Sequence, residues 1–249
     1  MGWSPLLIAE GGLYVDAVVL LSGGVDSTTV LALAVREHGR GGVLALSIEY
    51  GQKHNAEIEH ATSIADFLGC THAIVTLPPI FGGAGSTVIK GGPPQPHLTY
   101  KEIAAAEGPS PTVVPYRNGN LLSVAAAVAV TNEASWVYAG MHAEDARNWA
   151  YPDCTPEFLG AMANAIRVGT YDKIRLVTPL QWMLKKEVVA LGLKLDAPYH
   201  LTLSCYDGKE PACGKCPTCV ERLQAFTDNG VEDPIEYEER PNWQLLLGR

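Results

Sequence analysis

The feature that most constrains this chain is a glycine turn set between an apolar run and a helical one. Tyr14-Val15-Asp16-Ala17-Val18-Val19-Leu20-Leu21 runs straight into Ser22-Gly23-Gly24-Val25-Asp26-Ser27-Thr28-Thr29. A β-branched, apolar run of this length reads as a strand buried on both faces, as in a parallel sheet. Beyond the glycines the apolar period lengthens. Val30, Leu31, Ala34 and Val35 share one side of a helix over about 26–38, which Gly39, Gly41 and Gly42 stop. Two glycines let the backbone turn tightly and expose its N–H groups. The following helix adds its own free N–H groups and the positive end of its dipole. The segment from Leu21 through Gly23, Gly24 and Val25 to Thr28 is therefore a candidate anion cradle, with hydroxyl donors on Ser22, Ser27 and Thr28. Asp26 does not suit a phosphate; it reads as a helix cap or as a group that reaches Mg2+. The turn lacks the Gly-Lys-Ser/Thr ending of a Walker loop and the spacing of a dinucleotide fingerprint. Taken alone, it also fits a plain strand-to-helix turn with a serine or aspartate cap.

The same rhythm continues. Residues 43–48 read as a second buried strand, 55–68 as an amphipathic helix closed by Gly69, and 72–77 as a third strand. Strand, helix, strand, helix, strand predicts an α/β doubly wound parallel sheet. Residues 78–115 interrupt it with Pro78, Pro79, Gly82, Gly83, Gly85, Gly91, Gly92, Pro93, Pro94 and Pro96, a segment that reads either as a functional lid or as a plain connector. Regular structure then resumes, with helices over 120–133, 156–168 and 185–191 and strands over 136–140 and 174–177. With 249 residues and 47% apolar content, the chain can bury one substantial core and a small appendage. We expect a nucleotide-binding α/β domain over 14–197, with an insertion at about 78–115, and a C-terminal helical metal-binding segment over 198–240.

A net charge of −9 argues against a chain that coats nucleic acid, since phosphate affinity comes from clustered Lys and Arg. The most apolar stretch, 121–130, is too short to span a bilayer and carries Ser123. Met1-Gly2-Trp3-Ser4-Pro5 lacks the basic start of a signal peptide, so the cytoplasm is the expected compartment.

Of six cysteines, Cys205, Cys213, Cys216 and Cys219 fall together, with Gly208, Pro211, Gly214 and Pro217 supplying bends. Two successive C-x2-C steps present thiolates to a tetrahedral ion. Zn2+ held by four sulfurs would have no open position and would be structural. An iron–sulfur cluster or a free thiol cluster are the alternatives. Cys70 reads as packed.

The Ser22–Ser27 run resembles the SGGxDS loop of the PP-loop ATP pyrophosphatase superfamily. Its members split ATP between the α and β phosphates, pass AMP to a substrate oxygen and release pyrophosphate. Further segments narrow the resemblance. They are Tyr50-Gly51-Gln52-Lys53-His54, Val114-Pro115-Tyr116-Arg117-Asn118, Tyr151-Pro152-Asp153-Cys154, and Thr178-Pro179-Leu180 with Lys185 and Glu187. The last is Leu203-Ser204-Cys205-Tyr206-Asp207-Gly208, which leads into Cys213 through Arg222. In this order and spacing the chain, from about Val15 to Tyr237, is similar to the 7-cyano-7-deazaguanine synthase family. That resemblance implies an ATP-dependent carbon–nitrogen ligase acting on 7-carboxy-7-deazaguanine and ammonia. The expected route runs through an adenylated carboxylate, an amide and an adenylated amide to the nitrile, on the way to queuosine, with Mg2+ and a structural Zn2+. It leaves a homodimer open.

On this reading Ser22, Asp26, Ser27, Arg117 and Lys185 are the catalytic candidates. Tyr50, Gln52, His54 and Asp153 join the loop in binding the nucleotide, the base or ammonia. Arg117 suits bidentate pairing with a carboxylate or phosphate, or a surface ion pair; Lys185 has the same two readings. Asp153 suits the pocket or a helix cap, and Cys154 borders the pocket. The chain departs from the family at Tyr116, where Gly is usual, and in the longer 140–150 segment with Arg147 and Trp149, an aromatic able to stack on a purine or to pack. It also extends by residues 1–13. These departures leave open an enzyme that stops at the amide or conjugates the base. A PP-loop tRNA-modifying enzyme would need a basic RNA surface, and a non-catalytic ATP-binding regulator would not need the full loop and thiolate set.

Overall fold

The computed structural model describes residues 14–53, 56–94, 110–239 and 241–246. His54 and the extension over residues 1–13 lie outside them. Five parallel strands form one sheet: β1 (Ala17–Leu20), β2 (Val43–Glu49), β3 (Thr71–Thr76), β4 (Trp136–Tyr138) and β5 (Arg175–Val177), in the order β3-β2-β1-β4-β5. Ala17 pairs with Val43 on one side and with Trp136 on the other, which puts β1 at the centre. Its side chains alternate between two cores. Ala17 and Val19 pack with α1 (Val25–His38), α2 (Ala56–Leu68) and α5 (Lys185–Lys194), whereas Val18 packs with α3 (Arg117–Thr131) and α4 (Pro156–Gly169). Burial on both faces explains the unbroken apolar run, and each buried Val or Leu contributes about 1.5–3 kcal/mol.

Strand order reverses direction at β1. The chain steps from β1 outward through β2 to β3, then crosses back to β4 and β5. Open α/β sheets bind ligands at such a switch point, outside the carboxyl ends of the strands. The turn after β1, the turn after β2 and the segment after β4 all open there.

The described parts of the insertion are turns docked beside that opening. Phe81, Ile89 and Val114 share a small apolar cluster with Tyr50, and Lys53 N donates to Val88 O at 2.9 Å. On the opposite side, α6 (Pro217–Asp228) packs through Ala225 and Phe226 on Val25, Val189 and Tyr199. Gly192 makes this approach possible: a Cβ there would lie 1.8 Å from the Tyr199 hydroxyl, which bonds Thr29 Oγ1 at 2.7 Å. A short α7 (Trp243–Leu246) ends the described chain.

Helix α3 begins at Arg117, three residues ahead of its predicted start. Tyr116, at φ 55°, turns the chain into it, and its side chain makes no cap. The cap comes from elsewhere: Asp153 Oδ2 accepts from Asn118 N at 2.8 Å. The helix after Asp153 is capped instead by Thr155, whose Oγ1 accepts from Phe158 N. Among the described residues, no helix is long and apolar enough to cross a membrane.

Candidate active site

The turn after β1 is held by its own hydroxyls. Ser27 Oγ accepts from Ser22 N at 3.2 Å, donates to Gly24 O at 3.2 Å and lies 3.1 Å from Ser22 Oγ. Gly23 adopts φ +84°, and a Cβ there would meet Glu57 O at 2.6 Å, so only glycine lets α2 close on the turn. No side chain caps α1, which leaves its first N–H groups available to an anion. Thr28 is fully buried, and its Oγ1 has no hydrogen-bond partner.

Behind the turn lies a charged cluster assembled from four parts of the chain. Lys185 Nζ stands 2.7 Å from Asp26 Oδ2, 3.3 Å from Glu221 Oε2 and 3.4 Å from His142 Nε2. His142 Nε2 is also 3.5 Å from Asp145 Oδ2. Burial works against both charges of the Lys185–Asp26 pair. Even so, Asp26, Glu221 and Asp145 hold the ammonium above its ordinary range, and Lys185 with His142 holds Asp26 below its own. Glu221, by contrast, is pushed up by burial. Asp26 Oδ1 and Glu221 Oε2 are buried without hydrogen bonds. His142, Glu144 and Glu221 bring donor atoms within 4.8 Å of one another. One ammonium among several carboxylates leaves net negative charge here, which suits a divalent cation such as Mg2+ beside the phosphate cradle.

Across the opening, Arg117 leans on Tyr50, its guanidinium 5.8 Å from the ring centre and 3.5 Å from the hydroxyl. Burial opposes the guanidinium charge, but the Asp153 carboxylate and the hydrogen bond to the Tyr50 hydroxyl favour it, and Arg117 stays above its ordinary range. Gln52 Oε1 accepts from Tyr50 N at 2.8 Å, which fixes the turn after β2. Burial pushes the Cys154 thiol well up, so Cys154 stays protonated rather than nucleophilic.

These parts surround one cavity of about 280 Å³. Leu21, Ser22, Gly24, Val25, Asp26, Ser27, Tyr50, Gln52, Arg117 and Lys185 line it. Gly23, Thr28 and Asp153 are not among the residues that line it. Tyr116 and Trp149, which mark the departures from the family pattern, face outward at 60% and 65% exposure. Tyr116 packs edge-on against Phe158. Glu57, His142 and Asp145 also line the cavity and were not singled out by motif. They carried no sequence signal beyond a polar residue in a helix turn or a loop.

The four clustered cysteines meet as predicted. All are buried, and their sulfurs lie within 4.8 Å of one another, with Cys213 and Cys219 at 4.0 Å. A tetrahedral ion with bonds of about 2.3 Å sets its sulfurs about 3.8 Å apart, so the set fits a metal. Backbone N–H groups of Lys215 and Cys216 point at Cys213 Sγ at 3.4 and 3.3 Å. Hydrogen bonds with Cys216 and Cys219 draw the Cys205 thiol down, and those with Cys205 and Cys216 drive Cys219 up. Without a cation the cluster shares protons; a metal would replace them.

A glycine turn without a Walker lysine, opening at the switch point of a parallel sheet, places this chain among α/β proteins that carry an anion cradle at that point. Its residues 16–230 match the family described as "Queuosine biosynthesis protein QueC". It is 41% identical over 221 residues to the 7-cyano-7-deazaguanine synthase of Pseudoalteromonas atlantica, covering 89% of this chain and 98% of that one. The synthase of Marinomonas sp. is 41% identical over 222 residues, with the same coverage. That of Thermoplasma volcanium is 39% identical over 232 residues, covering 91% and 92%. The chain belongs to the QueC family.

Proposed function

We propose that this protein converts 7-carboxy-7-deazaguanine and ammonia to 7-cyano-7-deazaguanine at the expense of two ATP. One observation carries the reading: the Ser22–Ser27 cradle with Lys185 and the Arg117 guanidinium face each other across one cavity. A carboxylate is a poor electrophile until an oxygen carries a good leaving group. In the first half, a substrate carboxylate oxygen attacks the α-phosphorus of ATP and pyrophosphate leaves. Ammonia then adds to the acyl carbon, AMP departs and the amide forms. In the second half, the amide oxygen attacks a second ATP, and loss of AMP with a proton leaves the nitrile. Both oxygens of the original carboxylate therefore depart on AMP.

The Gly23–Gly24 amides, Ser22, Ser27 and Lys185 supply donors to the departing pyrophosphate. Arg117 pairs with the substrate carboxylate. Asp26, with its free Oδ1, would hold Mg2+, which shields phosphate charge when bound. Asp153 acts by fixing the first turn of α3, where Arg117 sits. The four cysteines hold a structural Zn2+. Residues 14–197 form the nucleotide-binding unit and 198–240 the metal-binding one. The family name supports a cytoplasmic biosynthetic enzyme using small-molecule substrates, and a homodimer accords with this reading.

The test is incubation with ATP, ammonium and 7-carboxy-7-deazaguanine labelled with 18O in its carboxylate, followed by mass spectrometry of bases and AMP. Nitrile with two labelled AMP per turnover is expected. Accumulation of amide with one labelled AMP, or no AMP at all, refutes the reading.

A further inference from the structure

The carboxylates that line the cavity are Asp26, Asp145 and Glu57. Asp26 is bound to Lys185, and Asp145 stands 3.5 Å from His142. Glu57, in the first turn of α2, has no hydrogen bond or ion pair among the described residues. Its surroundings do not favour the charge. Burial pushes its carboxyl up to about 7, with Arg117 and His60 drawing it back. A carboxylate left unpaired in such a place waits for donors that a ligand brings.

The chemistry of the ligand selects which donors. Phosphates and the substrate carboxylate carry negative charge and belong near Lys185 and Arg117. A 7-deazaguanine ring presents N1–H and a 2-amino N–H side by side. Both need acceptors once buried, and an ionised carboxylate is the side chain that offers two acceptors together. Nearby, Gln52 Oε1 accepts from Tyr50 N, Asn118 Oδ1 accepts from Arg117 itself, and Asp153 accepts from Asn118 N and does not line the cavity. Adenine sets one donor beside one acceptor, so it matches paired acceptors with a single bond.

We propose that Glu57 receives the N1–H and 2-amino edge of the deazaguanine ring and is the residue that selects a 2-amino-4-oxo base. The assignment rests on the function proposed above. The experiment measures kcat/KM of wild type and Glu57→Gln on 7-carboxy-7-deazaguanine and on the analogue without the 2-amino group. The Kd of a non-hydrolysable ATP analogue is measured alongside. Wild type is expected to disfavour the analogue by about 10- to 100-fold, the range for losing half of a paired hydrogen bond. Glu57→Gln is expected to lower kcat/KM on the full substrate by a similar factor, through KM. Its discrimination should shrink to about threefold, with the ATP-analogue Kd unchanged. Discrimination retained in Glu57→Gln overturns the proposal. So does a weakened ATP-analogue Kd, which would assign the carboxylate to the nucleotide. Failure of wild type to consume the full substrate refutes the proposed function itself, a different result from either.

Discussion

Glu57→Gln has a second consequence, in stability rather than activity. The ordinary carboxyl value near 4.5 rises to about 7 in the folded chain, because burial disfavours the charge. The folded state thus holds this proton more tightly than the unfolded state does. Stability from this group is complete at low pH, is lost as pH rises from about 4.5 to about 7, and stays lost above that. The full difference corresponds to about 3 kcal/mol at pH 8, and to less than about 1 kcal/mol at pH 5. Glutamine keeps the shape and carries no charge to desolvate. Glu57→Gln should therefore gain about 2 kcal/mol more over wild type at pH 8 than at pH 5. For a chain of this size that is about 4–8 °C in Tm. Calorimetry of both proteins without ligands, at the two pH values, cancels every other titrating group. Equal gains at both pH values, or a loss at pH 8, would refute the reasoning. A stabilising substitution that costs substrate selection is what a carboxylate kept for function predicts.

Other outcomes follow from the same geometry. Lys185→Met should lower AMP formation by about 100-fold, because the departing pyrophosphate loses its cation; a change within about threefold would contradict this. Gly23→Ala should raise the KM for ATP by more than about tenfold and cost about 1–3 kcal/mol, since φ +84° and the 2.6 Å contact with Glu57 O both resist a methyl group. Asp233→Asn should cost about 3–5 kcal/mol in urea unfolding. Asp233 is fully buried and accepts from Arg222 Nε at 2.6 Å and Nη2 at 2.9 Å, and its loss leaves that cation unpaired. Cys219→Ser should abolish binding of about one metal ion per chain, read by elemental analysis. Iron with visible absorbance in the wild type would replace zinc by a cluster.

The strand, turn and first helix were legible because their signals are local: a change of apolar period across two glycines. The thiolate set was legible for the same reason, since its spacing lies within one short segment. The start of α3 was not, because its cap is Asp153, supplied across the fold to Asn118. The companions of Lys185 were equally hidden. Asp26 meets it across 159 residues of sequence, and Glu221 arrives on a different helix. Trp149, conspicuous in the sequence as an aromatic able to stack on a purine, turns out to face solvent. Glu57 has the sequence appearance of an ordinary acidic residue in the first turn of a helix. Only the sheet topology brings that turn to the cavity.

Helix α6 belongs to two places at once. Cys216 stands at its N-cap position, Cys219 lies in its first turn, Glu221 reaches Lys185 behind the phosphate cradle, and Arg222 clamps Asp233. A chain whose thiols have not been gathered loses the hold on the first turn of α6, and with it the Glu221 contact to Lys185, while Asp26 stays in place. On the proposal that a metal gathers those thiols, metal supply would set how many copies carry the complete charged cluster rather than how fast each one works.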